Sequence, residues 1–136
     1  MKRWVIDTNV VVSALLSADG PCARVLDGII EGRAEMVYDS RVLAEYRDVL
    51  CRPRLRLKPR DGMRFLESLR GQVLVTADRI AEGGPDPDGR KFVEVALMVP
   101  ERTIVTGYLA DYPEDLLHGV RLLTPVQALA EMAAKG

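Results

Sequence analysis

Five short apolar runs with β-strand character, at 3–6, 34–38, 72–76, 103–106 and 120–123, punctuate this chain. The stretches between them are too long for hairpin turns, and several carry the three-to-four-residue apolar spacing of an amphipathic helix. Strand, helix and strand in succession are satisfied by parallel pairing, with the helices packed on the faces of the sheet. The pattern therefore predicts an α/β fold with a mainly parallel central sheet of four to five strands flanked by helices. At 136 residues the chain is the size of one domain, and residues 1–136 are read as one.

Local punctuation sets the expected helices. Thr8 or Asn9 can cap a helix over 9–18, and Asp19-Gly20-Pro21 is a turn. In the helix expected over 21–32, Val25, Leu26, Ile29 and Ile30 share one face and Gly32 marks the stop. Asp39 and Ser40 open a helix that Pro53 confines to about Cys51. Another helix runs from about Pro59 to Arg70, and EGGPDPDG at 82–89 is a loop with strong turn chemistry. A helix over Arg90 to Val99 is stopped by Pro100, and Thr124-Pro125 opens the terminal helix.

The stretch WVIDTNVVVSALL, residues 4–16, sets an acid between the first strand and the first helix. In open α/β sheets ligands bind beyond the carboxyl ends of the strands, which is where Asp7 falls. A helix cap, at about 1 kcal/mol, also accounts for an Asp there. Other acids keep unusual company. Glu45 falls at the edge of the apolar stripe of Val42, Leu43, Tyr46, Val49 and Leu50. Asp86 and Asp88 directly precede a helix, where the dipole favours anions and Asp88 fits an N-cap. Glu94 stands among Phe92, Val93, Val95, Ala96 and Leu97. Carboxylates gathered at strand ends repel one another, and a divalent cation removes that cost. Oxygen donors without His or Cys suit Mg2+ or Mn2+ rather than zinc. The lone His118, in a polar loop, is expected to be exposed.

Lys and Arg number 19 against 20 Asp and Glu, a net charge of -1, which excludes nucleic-acid binding by bulk charge but not a local basic patch. Such a patch is RPRLRLKPR, where Arg52, Arg54, Arg56, Lys58 and Arg60 recur at every second position. In an extended chain, which the prolines favour, they point to one side and can track phosphates. The same run also suits a solvated linker at a helix C-terminus. Cys22 and Cys51 lack metal-binding spacing and are expected to be reduced thiols of a cytoplasmic protein. Asp7 interrupts the apolar run behind Met1-Lys2-Arg3, unlike a signal peptide, and nothing approaches the ~20 apolar residues of a membrane span.

Taken in order, VIDTNVVVSALLS at 5–17, SRVLAEYRDVLCRPRL at 40–55, DPDGRKFVEVAL at 86–97, IVTGYLADYP at 104–113 and GVRLLTPVQAL at 119–129 resemble a PIN domain. The resemblance is greatest to the toxin components of toxin–antitoxin systems. It implies a three-layer PIN-like fold and a Mg2+- or Mn2+-dependent endoribonuclease. Asp7, Glu45 and Asp88 would be catalytic, and Asp7, Glu45, Asp86, Asp88 and Asp111 would hold metal. Asn9 and Thr106 would support the site, and Arg52, Arg54, Arg56 and Lys58 would bind RNA. Implied partners are an RNA substrate, a cognate antitoxin and a second copy in a homodimer. Two positions depart from the family pattern: Gly89 and Tyr108 stand where acids are common. They support the alternative, a weakened or inactive module that binds RNA or a protein partner. A phosphatase with an Asp nucleophile wants a second Asp where this chain has Asn9.

Overall fold

A computed structural model describes residues 2–80 and 89–134. Five parallel strands form one sheet: β1 (Arg3–Ile6), β2 (Glu35–Tyr38), β3 (Val73–Leu74), β4 (Thr103–Val105) and β5 (Arg121–Leu123), in spatial order β3-β2-β1-β4-β5. The register is set by Arg3 opposite Glu35, Val5 opposite Ile104, Val37 opposite Val73 and Thr103 opposite Arg121. β1 to β4 are mainly apolar, and β1, β2 and β4 are almost fully buried, as strands covered on both faces must be.

The connections are helical: α1 (Thr8–Leu16) and α2 (Pro21–Ile30) between β1 and β2, then α3 (Ser40–Leu50) and α4 (Pro59–Ser68) between β2 and β3. α5 (Arg90–Ala96) precedes β4, α6 (Glu114–Leu117) precedes β5, and α7 (Pro125–Ala133) follows it. Right-handed crossovers put α1–α2 and α3–α4 on one side of the sheet. The chain then returns past β1 to β4, so α5 and α6 cover the other side. The strand order reverses between β1 and β4, and this switch point is the natural ligand crevice of the fold.

The expected three-layer α/β architecture is the observed one. Caps explain several boundaries. The Asp39 carboxylate accepts from the Arg41 and Val42 amides, and Thr124 forms a reciprocal capping box with Gln127. α2 ends two residues before Gly32, which adopts φ 85°, a conformation that glycine takes without strain. Four expectations need correction. Ile30 is 72% exposed, because α2 stops there and its buried stripe is Ala23, Val25, Leu26 and Ile29. The strand expected over 72–76 pairs only at Val73–Leu74, at the edge of the sheet. α6 and a 3-10 turn over Leu109–Asp111 occupy the stretch expected to be loop. The basic run is not uniformly extended, since Pro53–Leu55 is a 3-10 turn and Arg56 is left-handed at φ 55°.

Cys22 and Cys51 are free thiols, and His118 is exposed. Among the described residues no helix is long and apolar enough to cross a membrane. Ile104, wholly buried in β4, and exposed Ile30 make a controlled pair. Ile104→Ala is expected to cost ~2–5 kcal/mol and Ile30→Ala no more than about 0.5 kcal/mol, read from denaturant midpoints at constant slope.

Candidate active site

The carboxyl ends of β1 and β4 open on a cleft of about 700 Å³. Its walls include Asp7, Thr8, Asn9, Glu45, Asp48, Arg52, Phe92, Tyr108 and Asp111. The volume lies within the usual ~300–1,000 Å³ of ligand sites. A separate groove between α1, α2 and α4, about 350 Å³, is lined mainly by aliphatic and aromatic chains such as Leu26, Ile29 and Phe65. Two acids, Asp27 and Asp61, also border that groove, but it lies away from the strand ends, so the chemistry is sought in the first cleft.

Asp7 is held from both backbone and side chain. Its amide donates to the Val105 carbonyl at 2.9 Å, which pins the end of β1 against β4. Its own carbonyl accepts from the Val10 amide at 3.0 Å, the first bond of α1. The side chain does not cap that helix in the usual way. Instead its Oδ2 accepts from the Thr106 hydroxyl at 3.0 Å and the Tyr112 hydroxyl at 2.8 Å. The residue is only 8% exposed. Burial raises the pKa of the carboxyl, against the pull of the Tyr112, Thr106 and Thr8 hydrogen bonds, and the nearby Glu45 charge adds to the rise. Tyr112 is pushed far above the usual phenol range, first by burial and then by the Asp7 charge, so it remains a donor.

Glu45 reaches the cleft from α3. Tyr46, the next residue, is fully buried, packs edge-on against Phe65 and donates to the Ile6 carbonyl, which locks α3 beneath the end of β1. Glu45 Oε2 accepts from the Thr8 hydroxyl, and Oε1 pairs with Lys91 Nζ at 2.7 Å. Asn9 braces the opposite wall: its Oδ1 accepts from the Gly107 amide at 2.9 Å, and its Nδ2 donates to Thr106 Oγ1 at 3.3 Å.

The structure thus brings Asp7, Asn9, Glu45, Asp111 and Arg52 to one cleft and ties Thr106 to Asp7. Asp86 and Asp88 lie outside the described residues. Arg54, Arg56 and Lys58 are exposed but do not line the cleft, and Arg56 borders a different depression beside Leu57. Glu94 is not a site residue either. Its buried carboxylate accepts from Arg41 Nη1 at 2.6 Å and the Ile80 amide at 2.6 Å. Sequence reasoning missed Thr8, Lys91 and Tyr112 as partners of the acids, and Asp48 as a cleft residue. Asp48 stands three positions after Glu45 on α3, so helical spacing alone put it on the same side.

Gly89 gains a physical reason. A Cβ there would meet the Tyr112 ring at 2.9 Å, too close to be accommodated without a shift. Gly89 and the Tyr112 hydroxyl on Asp7 are therefore two sides of one packing arrangement.

The donor chemistry fits a hard divalent cation. Among the described residues no cation pairs with Asp7, a buried carboxylate held only by neutral donors. Asp7, Glu45 and Asp111 line one cleft, and a hard cation takes oxygen ligands of this kind. Among the same residues no three His, Cys, Asp or Glu side chains are close enough to form a cage by themselves. A raised carboxyl pKa means that the folded, metal-free protein holds the Asp7 proton more tightly than the unfolded chain. The penalty of ionising it is absent below the ordinary value of 3.8 and complete above the raised folded value. Asp7→Asn is therefore expected to melt above the parent at pH 7 without metal, with the gap closing toward pH 4. Mg2+ at 100 times its dissociation constant should raise the parent alone, by about 2.7 kcal/mol. Paired melting curves across pH, with and without Mg2+, read both effects.

The family model for the PIN domain matches residues 3–109. No curated protein and no solved structure shows a significant match to the chain. The matched span runs from β1 through β4 to the turn beyond it, and so contains Asp7, Glu45 and Thr106. On that span, and on the parallel sheet with its switch-point cleft, the chain belongs to the PIN-domain family.

Proposed function

We propose that this protein is a Mg2+- or Mn2+-dependent endoribonuclease that hydrolyses RNA phosphodiester bonds, of the kind found as toxins in toxin–antitoxin systems. The PIN domain is in general a metal-dependent nuclease fold. The observation that carries the reading is Asp7, a buried carboxylate at the switch point with no cationic partner among the described residues and Glu45 in the same cleft.

Asp7 and Glu45 would hold the cation, and the further carboxylates of this reading are Asp86, Asp88 and Asp111. A bound divalent ion supplies Lewis-acid stabilisation of charge developing on the phosphodiester. The chain's own residues do the rest. Thr106 and Tyr112 fix the Asp7 carboxylate, so its free lone pairs keep one direction. Thr8 and Lys91 orient Glu45. Arg52, which also pairs with Asp48 at 2.9 Å, sets a guanidinium beside the carboxylates, suited to a phosphate oxygen. The partners in this reading are RNA, a cognate antitoxin and a second copy in a homodimer, in a cytoplasmic setting.

The second reading, a PIN module that binds RNA or a protein partner without cleaving, draws on Glu45. Its two oxygens are already taken by Lys91 and Thr8. Two measurements decide. Mg2+ titrated against a mixed RNA pool should produce cleavage that Asp7→Asn lowers by ~100-fold or more, the scale of the several kcal/mol a cation contributes. Cleavage equal in parent and Asp7→Asn would end the nuclease assignment. For RNA affinity, Arg54→Ala with Arg56→Ala should flatten the salt slope of log K by about one to two units, similarly for all sequences. An unchanged slope would make that segment a linker.

A further inference from the structure

We infer that Tyr108 is the stacking platform for a nucleobase beside the phosphate in the cleft; this rests on the nuclease reading above. The chain has seven aromatic residues, and all lie among the described residues. Trp4, Tyr38, Tyr46, Phe65, Phe92 and Tyr112 are buried. Tyr108 is 63% exposed, and it lines the cleft that holds Asp7 and Glu45. Tyr108 is thus the one ring of the seven that faces solvent, and it does so in the cleft of the acids. Its neighbour Leu109, 46% exposed, extends the apolar rim.

The ring is also placed with respect to the chemistry. The Tyr108 amide donates to Thr106 Oγ1 at 3.1 Å, and that hydroxyl donates to the Asp7 carboxylate at 3.0 Å. One oxygen therefore ties the backbone of Tyr108 to the acid expected at the scissile phosphate. Beyond the ring, Gly107 is held by Asn9, and a Cβ at 107 would meet Asn9 Oδ1 at 3.2 Å. The turn is braced on both sides of Thr106, while the Tyr108 side chain projects free of the core. A base stacked there belongs to a nucleotide beside the phosphate in the cleft, and Arg52 in the same cleft offers that phosphate a counter-charge. Stacking accepts any base, because every base has a π-face, and a base paired within a duplex cannot reach the ring.

The test uses a short mixed-sequence oligoribonucleotide, its duplex form, and the same strand with an abasic residue at each position in turn. Affinity is measured by fluorescence anisotropy without Mg2+, and cleavage rates are measured with it. Tyr108→Ala should weaken single-strand binding ~5- to 150-fold, Tyr108→Phe should stay within about two-fold, and duplex binding should not change. One abasic position should weaken the parent and leave Tyr108→Ala unaffected, since the two changes remove the same contact. Tyr108 is exposed, so the variants should melt with the parent, which separates this loss from misfolding. Single-strand affinity and cleavage unchanged in Tyr108→Ala overturn the inference while the nuclease assignment stands. Abasic penalties of equal size in both proteins at every position overturn it too. A parent that neither binds nor cuts any RNA overturns the nuclease reading itself, and the inference with it.

Discussion

A carboxylate taken out of water is costly to ionise, and the centre of this protein is arranged around one that has no cationic partner among the described residues. Asp7 sits where the strand order reverses, with its amide committed to β4 and its carbonyl to α1. Its position is therefore dictated by the sheet and not by its charge. The surrounding chain answers with neutral donors from far along the sequence: Thr106 after β4, Tyr112 beyond the next turn, and the adjacent Thr8 amide. Neutral donors lower the cost of the charge without cancelling it, which is why burial still dominates the raised pKa. A site so built is poised for a cation, because the electrostatic cost is real and the orientation is already fixed.

Against the family pattern, Gly89 and Tyr108 look like losses. In the folded chain each is tied to something gained. A side chain at 89 would displace the Tyr112 ring, and with it the closest donor to Asp7. Tyr108 leaves its side chain open to solvent while its amide joins the Thr106 bridge. Two carboxylates in one cleft raise each other's ionisation cost, so fewer acids also leave the metal-free protein less strained.

What could be seen in the sequence followed from local rules. Strand alternation gave the layers, the Asp39 and Thr124 caps gave helix starts, and the position of Asp7 after the first strand marked the crevice. What could not be seen depends on contacts across the chain. Tyr112 reaches Asp7 over 105 positions, and Thr8 reaches Glu45 over 37. No periodicity records such pairs. Glu94 shows the same limit from the other side. An acid in an apolar helix suggested a site, but the buried partner is Arg41, itself held by Asp39 at 2.8 Å. The shape of the basic run departs from the expected extended chain for a different reason. Alternate spacing describes a straight chain, and the 3-10 turn at Pro53–Leu55 breaks it, so Arg52 borders both the cleft and a neighbouring depression while Arg56 borders only the latter.

These strands of the argument meet in α5, a helix of seven residues packed across β1, β2 and β4. Its first turn passes beneath the Tyr112 ring at Gly89 and sends Lys91 to Glu45. Phe92 closes the floor of the cleft, and Glu94 grips Arg41 and the Ile80 amide. Arg41–Glu94 joins a buried carboxylate to a partly exposed guanidinium, so removing Arg41 would leave the carboxylate buried without its charged partner. That anchor fixes the rotation and height of the helix. Rotation and height in turn decide whether Gly89 clears the ring and whether Lys91 reaches Glu45. The acid that seemed most out of place, Glu94, thus lies outside the cleft and joins the buried Phe92, Val93, Val95 and Ala96 in holding the helix that carries Lys91.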